Sequence, residues 1–347
     1  MGPNDKGGPK RCAGHARTER DKQRAAAEEA RAAVADLENQ LADAERHYPD
    51  DAAFREALKV RIRRIAAATG EPHDKVARRF AIQQLVMRLA ADDPESWVLT
   101  GGTALQYRTG EARTTQDADL ATRIQGDQIE ERMTAALARK PGERGDFTVK
   151  VKRRSSEIGG YTCSVVYTLG GTRFSTAFVD IVPDRGLPES PELITPAAVV
   201  DIDDASPSVP VRFYPAAHHT ADKTAAMFQT YGSTGTEPST RPHDLADLVI
   251  LARTVEVDAE ELHERLAVEA ARRGVTYPKQ LTIPNPAWRD AWEGKVIGPG
   301  LPDQVRDIDS ALQAAGAFLN PILSGAVRSG RWDRTSQTWR PHPGGPP

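Results

Sequence analysis

The sequence predicts an α+β protein with a small mixed sheet, flanking helices and a mainly helical C-terminal domain. Helical patterns fill the chain before residue 97 and most of it after the strands, while short apolar and alternating segments lie between them. A length of 347 residues indicates roughly two domains. We expect a disordered start with a long helix at 1–50, a core with leading helices at 51–200, a helical domain at 201–330 and a loose tail at 331–347.

The composition is that of a globular protein, with 39% hydrophobic and 27% charged residues. A net charge of −3 indicates that any nucleic-acid surface must be local rather than global. Two cysteines, Cys12 and Cys163, form no disulfide framework or zinc-ligand set. No apolar run is long enough to cross a membrane. We therefore expect a cytoplasmic protein with no membrane partner.

Three helices are predicted before the first strand. Residues 18–48 have apolar positions spaced alternately by three and four, which predicts a long helix that either packs on its own domain or forms a partner-binding arm. Two further helices follow, with apolar faces running from Phe54 to Ile65 and from Val76 to Leu89. Their other faces are rich in Lys and Arg, which are either simply solvated or bind phosphates.

The strands begin at Trp97. Residues 97–99 form a short apolar run, and residues 148–151, 161–169 and 173–182 alternate as strands do. Gly170 and Gly171 predict a hairpin turn between the last two segments.

Asp117 and Asp119 lie two positions apart in a predicted strand. Alternate residues of a strand project from the same face, so both carboxylates point the same way. Adjacent carboxylates repel each other, and a divalent cation removes that repulsion. Mg²⁺ favours a few carboxylates together with water and substrate phosphates. The pair is therefore a candidate Mg²⁺ site, although solvent-facing acidic residues are the commoner explanation of such a pattern.

A turn of Gly101, Gly102 and Thr103 lies where the first strand leads into a helix. Glycines allow close approach of the backbone to phosphate, and helix N-termini bind anions. The Thr103 hydroxyl is expected either to bind the same phosphates or to cap the helix. The turn is a candidate nucleotide-binding element.

Asp180 lies inside the apolar segment FVDIV, where a carboxylate is costly to bury unless it is paired or metal-bound. If this strand lies beside the one that carries Asp117 and Asp119, three carboxylates surround one site and suit two Mg²⁺ ions. Asp180 would then deprotonate or orient an attacking hydroxyl. The alternative is an Asp that caps the next turn.

Three later residues complete the candidate site. Lys223 lies on a predicted helix and offers a compact positive charge for triphosphate oxygens. Asp244 falls in the first turn of another helix, where it either serves the site or complements the helix dipole. Arg241 is either a nucleotide clamp or a surface residue.

The order of these motifs carries more information than any one of them. WVLTGGTAL at 97–105 is followed by RTTQDADL at 113–120, FVDIVPD at 178–184, ADKTAAM at 221–227 and RPHDLADL at 241–248. This series resembles the AbiEii/AbiGii family of toxins, which includes the MenT proteins and belongs to the polymerase-β-like nucleotidyltransferases. The resemblance covers roughly residues 54–250.

The resemblance implies roles for residues already named. Asp117 and Asp119 would be metal ligands with Asp180 as the third carboxylate, Gly102 and Thr103 would hold the triphosphate, and Lys223 and Asp244 would occupy catalytic positions. His243 and Asp222 depart from the family's usual Lys and Glu.

The implied function is transfer of a nucleotide from an NTP, with Mg²⁺, to an RNA acceptor such as the tRNA 3′ end. The family also implies a cognate antitoxin. Two alternatives remain open: nucleotidylation of a protein or small molecule, and an NTP- or RNA-binding module without turnover.

Overall fold

The computed structural model describes residues 47–110, 115, 117–154, 160–183, 187–232, 234–292, 296, 302 and 306–342. The helix expected at residues 18–48 therefore lies almost wholly outside the described residues. No helix in these ranges combines the length and the apolar character that a bilayer span requires.

Among the described residues, helices precede the first strand and dominate the second half. They are α1 (Asp51–Thr69), α2 (His73–Asp92), α3 (Gly101–Thr109), α4 (Ile129–Ala136), α5 (Ala216–Phe228), α6 (His243–Thr254), α7 (Ala259–Arg273), α8 (Trp288–Ala291) and α9 (Ile308–Leu323).

The strands form one mixed sheet of seven strands and a separate hairpin. The sheet contains β1 (Trp97–Thr100), β2 (Asp117–Thr122), β3 (Asp146–Arg153), β4 (Tyr161–Leu169), β5 (Thr172–Pro183), β6 (Glu192–Ile194) and β7 (Val211–Phe213). Its strand order is β3-β4-β5-β2-β1-β7-β6. β2 pairs with β5 in parallel and β1 with β7 in parallel, and the other pairs are antiparallel. The predicted α+β class with a mixed sheet is confirmed.

Local signals at the element ends explain several of these boundaries. The Asp50 side chain accepts a hydrogen bond from the Ala53 backbone N–H at 2.7 Å and so begins α1, which ends at Gly70 in the left-handed conformation. β4 and β5 meet at Gly170 and Gly171, both with positive φ, which is the conformation of a two-residue hairpin turn.

In the part of the sheet formed by β3, β4 and β5, helices cover one of the two faces. Cys163, Val165, Val179 and Ile181 are 0–1% exposed there, because α2 packs on β5 and α4 packs on β3. On the opposite face of the same strands Phe178 is 45% exposed. A second core joins α5–α7 and α9 and includes Leu105 of α3, so α3 links the sheet to the C-terminal helices.

Residues 331–340 form a packed hairpin, which corrects the expectation of a loose tail for this described part of 331–347. β8 (Arg331–Asp333) and β9 (Thr338–Arg340) form a hairpin against α6 and α9. Trp332 is 1% exposed, and its Nε1 donates to the Ala252 carbonyl at 2.6 Å. Trp339 stacks on Phe318 with 5.7 Å between ring centroids. Each indole combines an apolar ring with an N–H that donates to a helix carbonyl, so the two rings hold the hairpin against α6 and α9.

Replacing Trp339 with Ala is expected to lower the free energy of unfolding by about 1–2 kcal/mol, because a half-buried ring and its stacking contact are lost. Urea unfolding followed by circular dichroism measures the change. The exposed Thr335→Ala substitution, in the turn of the same hairpin, is the control. Equal stability of the two variants would mean that the hairpin does not pack on α9 in solution.

Candidate active site

A cleft of about 890 Å³ lies between one end of the sheet and the C-terminal helices. It brings together residues from β2, β5, α3, α5, α6 and α7 and from the segments that adjoin helices and strands: Gly101, Gly102, Asp117, Asp119, Arg154, Asp180, Asp222, Lys223, Tyr231, Arg241, His243, Arg272 and Arg273. Of the residues predicted for the site, only Thr103 and Asp244 are missing from its lining.

Asp117 and Asp119 occupy β2, as predicted, and both line the cleft. β5 runs beside β2 with Phe178 opposite Asp117 and Asp180 opposite Asp119. Partners in register project from the same face of a sheet. The strand adjacency on which the prediction of a third carboxylate depends is therefore present, and the metal role of Asp180 stays a prediction.

Two hydroxyls fix the backbone of these aspartates. Thr103, which is 2% exposed, donates from Oγ1 to the Asp117 carbonyl oxygen at 2.6 Å. Thr100 donates from Oγ1 to the Asp119 carbonyl oxygen at 3.3 Å. The hydroxyl of Thr103 thus donates to β2, and the N-cap of α3 is Thr100, so Thr103 does not cap the helix. The contact instead holds the α3 N-terminus against the strand of the carboxylates. The role of Thr103 in nucleotide binding stays a prediction.

Gly101 is required by the carboxylate of Asp119. Its φ is +65°, and a Cβ built on it would lie 1.9 Å from Asp119 Oδ2. No side chain fits there, so the backbone at the start of α3 lies directly against the carboxylate. This close approach explains the glycine more specifically than a generic phosphate-binding turn does.

The Gly101→Ala variant is expected to lose about 10–100-fold in nucleotidyl transfer, because the new methyl group displaces the Asp119 carboxylate. Gly110→Ala is the matched control, since Gly110 has φ +70° and a methyl group added to it would meet no atom within 4 Å. Both variants carry the same left-handed strain of about 1–2 kcal/mol. Equal loss of transfer in the two variants would mean that strain alone, and not Asp119, is responsible.

The charged form of the Asp119 carboxylate is destabilised by its surroundings. Burial in the cleft is the main cause that raises its pKa to about 6, and the nearby charges of Asp180 and Asp117 add to the effect. Lys223 lowers the pKa but does not cancel the rise. A divalent cation beside Asp119 would relieve this destabilisation.

Asp180 is already partnered. Its Oδ1 accepts a hydrogen bond from Thr162 at 3.0 Å, and its other oxygen pairs with the guanidinium of Arg154. Within the described residues no group of three metal-ligating side chains is assembled. Asp117 and Asp119 line the cleft as a pair of hard oxygen donors, which fits Mg²⁺ because that ion completes its shell with water and phosphate oxygens.

Lys223 is 3% exposed and is held between two carboxylates of α6. Its Nζ lies 3.1 Å from Asp244 Oδ1 and 2.6 Å from Asp247 Oδ2. The sequence does not indicate this burial, because it depends on the approach of α6 to α5. The lysine joins α5 to α6 while one side of it still borders the cleft.

Asp244 is fully buried and does not reach the cleft. Its carboxylate accepts a hydrogen bond from Arg241 Nε at 2.7 Å in addition to the one from Lys223. Burial would raise its pKa, but Lys223 and Arg241 hold the pKa below the usual value. Asp244 therefore orients two cations, a role beyond the helix-dipole interpretation. Arg241 is not a plain surface residue, because it lines the cleft while bonded to Asp244.

Several cleft residues were not singled out from the sequence. Arg272 and Arg273 of α7 form ion pairs with Asp222 of α5, and Arg273 also donates to Gln229 at 2.6 Å. Basic residues in the last turn of a helix are usual partners of its dipole, so no sequence signal marked them. Arg154 ends the basic run of residues 150–154, and nothing in the sequence distinguishes it from the other members of that run as a cleft residue.

The cleft has one mainly acidic and one mainly basic wall. The sheet side presents Asp117, Asp119 and Asp180 together with Arg154, whereas the helical side presents Lys223, Arg241, Arg272 and Arg273 together with Asp222. A polyphosphate with bound divalent cations matches both walls, since the cations face the carboxylates and the phosphate oxygens face the basic groups.

Comparison with known families agrees with this geometry. The family model described as nucleotidyl transferase AbiEii toxin, type IV TA system, matches residues 84–314. The chain belongs to the AbiEii family of nucleotidyltransferase toxins. The match confirms the resemblance inferred from the ordered motifs and extends it into the C-terminal helices, while α1 lies before it. An AbiEii nucleotidyltransferase uses an NTP as its substrate, and its toxin–antitoxin family indicates an antitoxin partner.

Two solved structures are similar to this AbiEii chain. MenT4, a nucleotidyltransferase toxin from Mycobacterium tuberculosis H37Rv, is 17% identical with a TM-score of 0.49, covering 78% of this chain and 99% of that one. JHP933 from Helicobacter pylori is 16% identical with a TM-score of 0.41, covering 73% and 92%. No curated protein matches the chain in sequence.

Proposed function

We propose that this AbiEii protein transfers a nucleotide from an NTP to the 3′ end of an RNA acceptor, with tRNA as the leading candidate, in an Mg²⁺-dependent reaction in the cytoplasm. The observation that carries the proposal is the register of β2 and β5, which sets Asp119 beside Asp180 in a cleft with a basic opposite wall.

The triphosphate would lie between the two walls. The N-terminus of α3, which begins at Gly101 and has no side-chain cap, would present backbone N–H groups to phosphate oxygens. Arg241 and Lys223 would attract the triphosphate from the helical side, held in position by Asp244. Asp117 and Asp119 would hold Mg²⁺, which when bound neutralises charge on the phosphate oxygens.

The chemical step is an in-line displacement at the α-phosphorus. The acceptor's 3′-hydroxyl oxygen forms the new P–O bond, and the bond from the α-phosphorus to the bridging oxygen breaks so that pyrophosphate leaves. Asp180 would accept the hydroxyl proton, with Arg154 and Thr162 fixing the carboxylate. Positioning and charge neutralisation provide most of the acceleration.

The test is incubation of the purified protein with total tRNA, Mg²⁺ and each α-labelled NTP in turn, with Asp117→Ala alongside. We expect one NTP to label tRNA and the variant to abolish the labelling. Label on a protein or small molecule instead would replace the acceptor and keep the chemistry. NTP binding by a folded protein without any transfer would overturn the proposal in favour of a binding module.

A further inference from the structure

We propose that the uncovered face of β3–β5 binds the single-stranded 3′ end of the acceptor RNA. We define this open face by Thr148, Lys150, Lys152, Thr162, Ser164, Val166, Thr176 and Phe178. The inference rests on the proposed function, because it assigns a binding surface to the RNA that the cleft would act on.

The first observation is the register across four strands. One row runs from Lys150 through Ser164 and Phe178 to Asp117. The next row runs from Lys152 through Thr162 and Asp180 to Asp119. Partners in register share a face, so the open face continues directly into the carboxylates of the cleft.

The second observation is the character of the exposed side chains. Phe178 of β5 lies beside Asp117 of β2, and its side chain is 45% exposed. The residues directly before and after Phe178 in β5 project from the covered face and are buried. Lys150 and Lys152 are exposed two strands away, about 10 Å from the β5 backbone. Thr162 and Ser164 of β4 lie between these lysines and β5. An aromatic ring next to spaced lysines on an open sheet face fits bases that stack and phosphates that pair with cations.

The direction in which the RNA would cross the sheet follows from the positions of Phe178 and the two lysines. The terminal base would stack on Phe178, and its 3′-hydroxyl would then lie at the cleft edge near Asp180. The preceding phosphates would run across β4 toward Lys150 and Lys152. Arg154 lies at the junction, because its Nε donates to Thr162 at 2.9 Å while its guanidinium pairs with Asp180.

A second basic surface is the main competitor. Arg55, Lys59, Arg63 and Arg173 line a groove beside Phe174, between α1 and the β4–β5 turn. Arg173 is seven residues from Asp180 along β5, which places it about 23 Å away. Lys59 is also paired with Glu56 at 2.9 Å. This groove is remote from the reacting end of the RNA, so it provides the control.

The first experiment measures steady-state kinetics with total tRNA as the acceptor. Phe178→Ala is expected to raise KM for tRNA about tenfold and to leave KM for the NTP unchanged, whereas Phe178→Tyr keeps the wild-type value. Because Phe178 is exposed, the variant should fold, and its melting curve verifies this. An unchanged KM for tRNA in Phe178→Ala would overturn the stacking role.

The second experiment measures binding without catalysis. Fluorescence anisotropy of 5′-labelled tRNA, in the absence of NTP, gives Kd at several salt concentrations. Lys150→Ala/Lys152→Ala is expected to weaken binding about tenfold and to reduce the slope of log Kd against log salt by about 1–2. Arg63→Ala/Arg64→Ala removes the same charge from exposed positions of α1 and should leave both values unchanged.

The outcomes separate the two proposals. If the wild-type protein labels no RNA, the proposed acceptor is wrong. If it labels tRNA and the α1 pair weakens binding while the sheet pair does not, the acceptor stands and the open face is overturned.

Discussion

Replacing Asp119 with Asn is expected to abolish nucleotidyl transfer and to stabilise the metal-free protein at the same time. Transfer should fall by about 10³-fold or more, because an amide cannot replace a carboxylate as an Mg²⁺ ligand. Stability should rise because the charged form of Asp119 is disfavoured in the cleft, where burial raises its pKa to about 6. A displacement from 3.8 to about 6 corresponds to at most about 3 kcal/mol, and partial exposure reduces it.

The pH dependence follows from the sign of this shift. Between pH 4 and 6 the folded protein binds more protons at Asp119 than the unfolded chain does. The contribution of Asp119 to stability therefore falls as the pH rises through this window, and the penalty is complete above it. The Asn variant should melt at a higher temperature than wild type at pH 7.5 in EDTA. The difference should shrink as the pH is lowered toward 4.

The same melting experiment contains its own control. Added Mg²⁺ should raise the melting temperature of the wild-type protein more than that of Asp119→Asn, because only the wild type offers both carboxylates. A variant that is inactive but less stable than wild type at pH 7.5 would contradict the assignment. It would mean that the Asp119 carboxylate supports the fold through contacts with its neighbours.

The Lys223→Ala variant is expected to lose about 3–5 kcal/mol of unfolding free energy, because Asp244 and Asp247 would be left as buried carboxylates without their shared lysine. Both carboxylates are 0% exposed, and neither can be hydrated without opening the contact between α5 and α6. Urea denaturation followed by circular dichroism measures the loss.

Two comparison variants separate charge from packing. Lys223→Ala combined with Asp247→Asn removes one of the two buried charges that lose Lys223, and Arg241 still pairs with Asp244, so this variant should recover part of the stability. Lys279→Ala, at an exposed position, should be neutral. Full stability of Lys223→Ala would indicate that the lysine acts on the substrate alone. Equal loss in the single and double variants would rule out an electrostatic cause.

The carboxylate half of the site could be predicted because it depends on local pattern. Strand periodicity sets Asp117 and Asp119 on one face, and the apolar surroundings of Asp180 mark it as a residue that needs a partner. The sequence did not show that β5 lies beside β2. This adjacency is a long-range pairing, which no local signal specifies.

The basic half was predicted less well because it depends on packing between helices. Lys223 was predicted as a phosphate-binding charge, but its burial was not predicted. The burial follows from the approach of α5 to α6, which brings Asp247 within 2.6 Å of its Nζ. Arg272 and Arg273 reach the cleft because α7 packs against α5. The hairpin at the chain end was missed since its two indoles find their acceptors on α6 and α9, far away in sequence.

The parallel pairing of β2 with β5 has a consequence for synthesis of the protein. Asp119 and Asp180 meet only after the chain between them has been made and folded, and the Lys223 contact with Asp247 requires still later residues. Such non-local contacts form late, because the chain must close a long loop before it gains their stabilisation. A growing chain on the ribosome therefore holds its carboxylates and its cations apart. Harmful activity should begin only when most of the polypeptide has emerged, which leaves time for an inhibitor to be present before the toxin is complete.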